Sequence, residues 1–177
     1  MSFTSREFRD ALGLFPTGIA VVTTIDPAGR MAGVTVNSFS SVSLEPPLVL
    51  VSLARTSRSL DVFEAAKHFA VGLLGFDQRQ ASTIFASTAG TSAERFAQVR
   101  HRFGIGGCPV IEPALASFEC EVWARHDGGD HVILIGKVVA MHRDAQATID
   151  PLLYFRGQYR ELSEQRAEIA PFRLEGW

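Results

Sequence analysis

Little in this sequence points to metals, nucleic acids or membranes. Its 177 residues include only two cysteines, Cys108 and Cys120, too few for a disulfide framework. Both are expected to be reduced, small structural groups, which suits a cytoplasmic protein. None of the five histidines (His68, His101, His126, His131, His142) is spaced with another His, Cys or carboxylate as metal ligands are, so no metal site is expected. Net charge is −2, from 17 basic and 19 acidic side chains, and no basic stripe is present to attract a nucleic acid. No apolar run approaches the roughly 18 residues that span a bilayer. The opening MSFTSREFRD lacks the apolar core of a signal peptide. P-loop and GxSxG motifs are missing, so no phosphoryl-transfer or hydrolytic nucleophile stands out. Gly104-Ile105-Gly106-Gly107 follows no strand and opens no helix, so it reads as a loop.

What is present is a globular composition, 46% hydrophobic and 20% charged, in a length that suits one domain. Thr4 and Glu7 have capping-box spacing, and Phe8, Leu12 and Phe15 give a helix over 4–15 one apolar face. Strands follow over 19–25 and 31–39, joined by the turn Asp26-Pro27-Ala28-Gly29, and a third runs over 48–53. Thr56 or Ser57 should cap a short helix reaching Ala66. A strand over 69–74 precedes a helix from Asp77 to about Ala86. Residues 87–113 read as irregular, with one helical turn at 93–97. Two long strands, 114–126 and 131–142, flank the hairpin signal Asp127-Gly128-Gly129-Asp130, and a last strand is expected over 149–155. Many strands, short helices and tight hairpins predict a mainly β fold, an antiparallel closed or nearly closed barrel.

Two hydroxyl-rich segments stand out. In GVTVNSFSSVS (33–43), a continuous strand would place Thr35, Asn37, Phe39 and Ser41 on one face and Val34, Val36, Ser38, Ser40 and Val42 on the other. Neither face is cleanly apolar, so the strand is suited to offering hydrogen bonds to a ligand. The second, SLARTSRS (52–59), leads to a helix start, where N–H groups, hydroxyls and Arg55 or Arg58 could meet a phosphate. With no acid–base constellation in view, hydride transfer through a bound cofactor is the chemistry least dependent on missing residues.

The segments FPTGIAVVTT, GVTVNSFSSVSLEPPLVLVSL, the run 55–59, HFAVGLL, Ala93–Phe96, GDHVILIGKV and PLLYFRGQYREL cover residues 7–162. Together they resemble the short-chain flavin reductase family, the reductase components of two-component flavin-dependent monooxygenases. The resemblance implies an antiparallel Greek-key split barrel of the FMN-binding type over 1–162, with 163–177 as a tail. It also implies a homodimer, for which Phe155 and Trp177 offer apolar surface. FMN or FAD would be reduced by NADH or NADPH and passed to a separate oxygenase. By the same resemblance, Thr35, Val36, Asn37 and Ser38 lie along the isoalloxazine, with Ser52, Leu53 and Ala54 on its other border. Thr56, Ser57 and Ser59 reach the phosphate, Arg95 and Phe96 stand where the family often has Lys-Phe, and His131 and Tyr154 meet the nicotinamide nucleotide. No catalytic acid or base is expected. Arg156 and Arg160 are candidates for a nicotinamide 2′-phosphate. A flavin-binding electron carrier without nicotinamide turnover is the alternative. A lipocalin-like carrier of apolar ligands fits the Ser/Thr/Asn density poorly.

Overall fold

The structure is a computed structural model that describes residues 2–143 and 150–162. In chain order, α1 (Ser5–Leu12) precedes β1 (Thr17–Gly18), β2 (Ala20–Ile25), β3 (Met31–Val36), β4 (Ser40–Leu44) and β5 (Pro47–Ala54). Then come α2 (Leu60–Ala65), β6 (His68–Leu73), α3 (Arg79–Ala86) and α4 (Ser92–Ala97). The chain continues through β7 (His101–Phe103), β8 (Pro109–Ile111), β9 (Ala116–Gly128), β10 (His131–Arg143), β11 (Leu153–Phe155) and β12 (Gln158–Arg160). The expected tail and the start of the expected last strand, at Ile149, lie outside the described residues.

Seven strands form one antiparallel sheet in the order β3-β2-β6-β9-β10-β5-β4. β3 and β4 are neighbours in sequence yet stand at opposite ends of that order. The sheet must therefore curl until its ends meet at Asn37–Phe39. There the expected continuous strand over 33–43 is broken. Ser38 Oγ accepts from Ser52 N–H (2.9 Å) and donates to Ser52 O (3.2 Å), so one side chain replaces a rung of the ladder. Because the strand breaks, the period-two assignment of faces does not carry across it. Phe39 turns to the core and stacks on Phe118, with ring centroids 5.6 Å apart.

β2 explains why the sheet curls around two layers of packing. Ala20 and Val22 face the barrel core with Val51, Phe63, Phe69 and Leu134. Ile19 and Val21 face a second cluster with Leu74, Phe85, Phe96 and Leu152. A strand buried on both faces reads as a continuous apolar run, as this one does. Its two buried threonines are satisfied: Thr23 Oγ1 donates to Pro109 O, and Thr24 Oγ1 to His68 O (2.6 Å). Gly33 on β3 admits the Phe85 ring from α3, since a Cβ there would fall 2.5 Å from that ring.

The β9–β10 hairpin turns at Gly129, with φ 75°, and Gly128 pairs with His131 as its Gly-rich signal predicts. Residues 87–113 hold more structure than the sequence suggested. Thr91 and Glu94 form a capping box on α4, and β7 pairs with β8 around the turn at 105–107. Buried Glu119 of β9 ties this hairpin down, accepting from Arg102 Nη2 and Ile105 N–H, both at 2.7 Å. Burial pushes the Glu119 carboxyl up, but these two donors outweigh it and hold the group below its ordinary range.

The Thr4–Glu7 capping box forms as expected. The apolar face of α1 does not enter the core: Phe8, Leu12 and Phe15 are 52%, 58% and 75% exposed. Amphipathic spacing states that a face needs cover; it does not say that the same chain supplies it.

Candidate functional site

The corner where the sheet ends meet opens onto a cleft of about 810 Å³. Its first wall is the end of β3 and the break beyond it: Thr35, Val36, Asn37 and Ser38. The facing wall is the end of β5, with Ser52, Leu53 and Ala54, followed by Thr56, Ser57 and Ser59. Residues from Ala86, the end of α3, to Arg95 in α4 also line the cleft, with Arg58 donating to Thr88 O. His131, the first residue of β10, stands among the lining residues beside Ala54, its partner in the β5–β10 ladder. The two hydroxyl-rich segments thus share one cavity.

α3 holds the first wall in place. Thr35 Oγ1 donates to Ser82 O (2.7 Å), while buried Ser82 Oγ and Tyr159 OH lie 2.8 Å apart. Ser82 and the lining residues Ser87, Thr88 and Thr91 did not stand out in the sequence. A buried helical serine and a loop of hydroxyl residues look ordinary until the fold sets the first behind Thr35 and the second along the cleft.

The helix cap expected at Thr56 or Ser57 is absent. α2 begins at Leu60, and Ser59 occupies the N-cap without a side-chain bond. Thr56 and Ser57 sit in the turn before it, where Ser57 N–H donates to Ala54 O and Ser57 Oγ accepts from Ser59 N–H.

The cations around the cleft differ in their partners. Arg30 is paired with Asp26 and Asp61, both at 2.7 Å. Arg55 pairs with Asp127 (2.7 Å) and turns toward the hairpin, away from the phosphate role anticipated for it. Arg58 and Arg95 donate only to the carbonyls of Thr88 (3.2 Å) and Ser87 (3.1 Å), and the Arg95 Nε–H is buried without a partner. Among the described residues neither has a carboxylate within ion-pair distance. His131 Nδ1 lies 2.7 Å from Asp130 Oδ1. A carboxylate can only accept, so Nδ1 carries the proton and Nε2 is the ring's remaining polar atom.

Two anticipated site residues lie elsewhere. Phe96 is buried in the second core cluster, edge-on to Phe85 at 5.0 Å, because α4 is amphipathic and turns Arg95 to the cleft and Phe96 inward. Tyr154 pairs with Thr17 and with Tyr159 in the β11–β12 hairpin, and neither tyrosine is among the residues lining this cleft.

A split antiparallel barrel with a hydroxyl- and arginine-lined cleft at its seam is the architecture of a flavin-handling fold. The chain belongs to the flavin reductase like domain family, whose model matches residues 12–163. It is 43% identical over 157 residues to a "Probable flavin reductase" of Rhizobium meliloti, covering 89% of this chain and 49% of that protein, about half its length. It is 44% identical over 162 residues to "FMN reductase (NADH) SmoA" of Agrobacterium fabrum, covering 91% and 88%. The solved NADH:FAD oxidoreductase of Streptomyces globisporus C-1027, in complex with NAD and FAD fragments, superposes with a TM-score of 0.83 at 32% identity, covering 92% of this chain and 94% of that one.

Proposed function

We propose that this chain is an NAD(P)H:flavin oxidoreductase that reduces FMN or FAD and supplies reduced flavin to a separate monooxygenase. The observation that carries this reading is the convergence of both hydroxyl-rich segments, Arg95 and His131 on one cleft. The donor set suits a flavin. The Asn37 amide and the Ser52 hydroxyl match the carbonyls and nitrogens rimming an isoalloxazine, Thr35 and Ser38 hold the walls that carry them, and Val36 and Leu53 supply apolar surface between them. Arg95 and Arg58, without carboxylates, suit a phosphate, and a guanidinium offers it a planar fork of donors.

A bound flavin would supply the hydride acceptor and a nicotinamide nucleotide the hydride, provided the two rings are held in contact. The chain's part is to hold that geometry. The β3 and β5 walls fix the ring, the Arg58–Arg95 end holds the phosphate, and His131 contacts the nicotinamide nucleotide without serving as acid or base. Both relatives named for a flavin substrate support the reading, one for FMN and one for FAD.

Residues 1–162 act as the reductase domain. It works as a homodimer, and the uncovered apolar segment Phe3, Phe8, Leu12, Leu14 and Phe15 suits a second copy. Free Cys108 and Cys120, both buried, suit a reducing cytoplasm. No helix among the described residues is long and apolar enough to cross a membrane.

The test is anaerobic mixing of the purified chain with NADH and FMN or FAD. Bleaching of the visible flavin band is expected at catalytic enzyme concentration. Retention of flavin without nicotinamide oxidation would replace this reading with the electron carrier.

A further inference from the structure

Neither tyrosine of the Tyr154–Gly157–Tyr159 spacing lines the cleft, yet Tyr159 is linked to its wall from behind. Arg156 and Gly157 form a two-residue turn with φ of 50° and 76°, which sets Tyr159 of β12 opposite Tyr154 of β11. Arg156 lies over the Phe155 ring, 5.2 Å from its centroid, and neither it nor Arg160 lines the cleft. The hairpin is anchored by Arg156 N–H donating to Gly13 O (3.0 Å) and by the pairing of Tyr154 with Thr17. From there the Tyr159 ring packs on the second core cluster, and its OH lies 2.8 Å from Ser82 Oγ in α3. Ser82 is 0% exposed, and Tyr159 is the one hydrogen-bond partner of its hydroxyl among the described residues. Ser82 is held on its other side as well, where its carbonyl accepts from Thr35 Oγ1 (2.7 Å) in the first wall. A hydroxyl has one hydrogen to donate, and Thr35 gives it to Ser82, so the setting of Thr35 follows the position of α3. α3 and β3 are also interlocked, because the Phe85 ring fills the place a Cβ would take at Gly33. Just beyond α3, the carbonyls of Ser87 and Thr88 receive Arg95 (3.1 Å) and Arg58 (3.2 Å). One short helix thus locates both the Thr35 wall and the two arginines.

We propose that Tyr159 is a positioning residue for flavin: by holding Ser82 it fixes α3, and with α3 the Thr35 wall and the carbonyls that receive Arg58 and Arg95. This rests on the reductase reading above. Apolar contact is non-directional, so packing alone lets a short helix settle by small shifts. A hydrogen bond prescribes a distance and an angle, and the Tyr159–Ser82 bond supplies both at the middle of α3. A site of this kind works only while the residues behind its walls keep the walls in register. The His131 end is carried by β5 and β10, which this series of bonds does not reach. Tyr159 therefore bears on the flavin and not on the nicotinamide nucleotide.

The experiment measures flavin affinity directly, by quenching of FMN or FAD fluorescence on titration with the whole chain. Wild type, Tyr159→Phe and the double variant Ser82→Ala/Tyr159→Phe are compared, with thermal unfolding followed alongside. Tyr159→Phe keeps the ring and removes only its hydroxyl. Loss of one neutral hydrogen bond corresponds to roughly fivefold, and the flavin Kd should rise by about that factor while the KM for NADH stays within about twofold. The single variant leaves the Ser82 hydroxyl buried without a partner and should unfold at a lower temperature. The double variant removes both partners, so most of the stability should return while flavin binding stays weak. An unchanged Kd in Tyr159→Phe, a Kd that recovers together with Tm in the double variant, or an equal rise in the KM for NADH overturns the proposal and leaves flavin reduction intact. Failure of the wild type to bind either flavin overturns the reductase reading and this inference with it.

Discussion

The two ends of the cleft hold their side-chain donors in opposite states. At the α4 end, Arg58 and Arg95 touch only carbonyl oxygens, and one Arg95 N–H is buried with nothing to receive it. At the hairpin end, Arg55 and His131 each sit 2.7 Å from a carboxylate of their own chain. A buried donor without an acceptor costs free energy until an acceptor arrives. The first end thus keeps donors open to an anion, and the second has its donors occupied by Asp127 and Asp130 before any ligand binds. This difference is what the proposed assignment rests on, with the flavin phosphate at the first end and the nicotinamide nucleotide at the second.

Removing Arg95 should break this contrast most severely. A hydrogen bond to a charged group contributes about 1.5–3 kcal/mol, roughly tenfold to hundredfold in affinity. Arg95→Ala is expected to raise the flavin KM by that factor and barely move the KM for NADH, and Arg95→Lys should recover part of the loss. Steady-state kinetics with each substrate varied in turn would read this. An unchanged flavin KM would mean that the two ends do not differ in the way described.

Ser38 lies between the ends, and its loss should affect both alike. Its hydroxyl satisfies both the N–H and the C=O of Ser52 across the seam. Ser38→Ala leaves those groups without their partner and is expected to cost about 1–3 kcal/mol of stability. Thermal unfolding checks the stability, and the KM values for flavin and nicotinamide should rise together. A rise in only one would show that Ser38 serves that end alone.

His131→Ala is a smaller, one-sided change. Loss of a neutral hydrogen bond near 1 kcal/mol corresponds to roughly fivefold. The KM for the nicotinamide nucleotide should rise by about that factor, and the flavin KM should rise less. The reverse pattern would exchange the roles assigned to the two ends.

The parts of this fold legible in the sequence are those written in local chemistry. Gly128-Gly129 announces the β9–β10 hairpin because only glycine takes φ near 75° without strain, and β2 announces burial on both faces by its unbroken apolar run. Hydroxyl density pointed to two segments that the fold brings to one cavity. The misreadings arose where tertiary partners decide. The strand over 33–43 breaks because Ser38 bonds across the seam, and no propensity encodes a side chain taking a ladder's place. β7 and β8 are three residues each, too short to show a period, and depend on Glu119 from β9. Arg55 and Arg95 look alike in the sequence, and only the hairpin carboxylate tells them apart.

The smallest effect is also the most direct reading of that difference. The Asp127 carboxyl is held below its ordinary value of 3.8, first by the Arg55 hydrogen bond and then by the Gly129 N–H. A carboxyl whose folded value is depressed stabilises the fold above its unfolded value, and that contribution disappears as pH falls through the lower folded value. The clamp on the hairpin tip should therefore be fully formed at and above about pH 5 and loosen only below 3.8. Because Asp127 is exposed, the change in stability is small, and the carboxyl itself is the better probe. Its chemical shift, followed by NMR against pH, should show a midpoint below 3.8 in the wild type and a return toward 3.8 in Arg55→Ala. The same substitution should leave Arg95 and flavin binding untouched, since Arg95 lies at the other end of the cleft. A wild-type midpoint at 3.8 would mean that Arg55 is not committed to the hairpin in solution, and the two ends would then be alike in carrying a free cation.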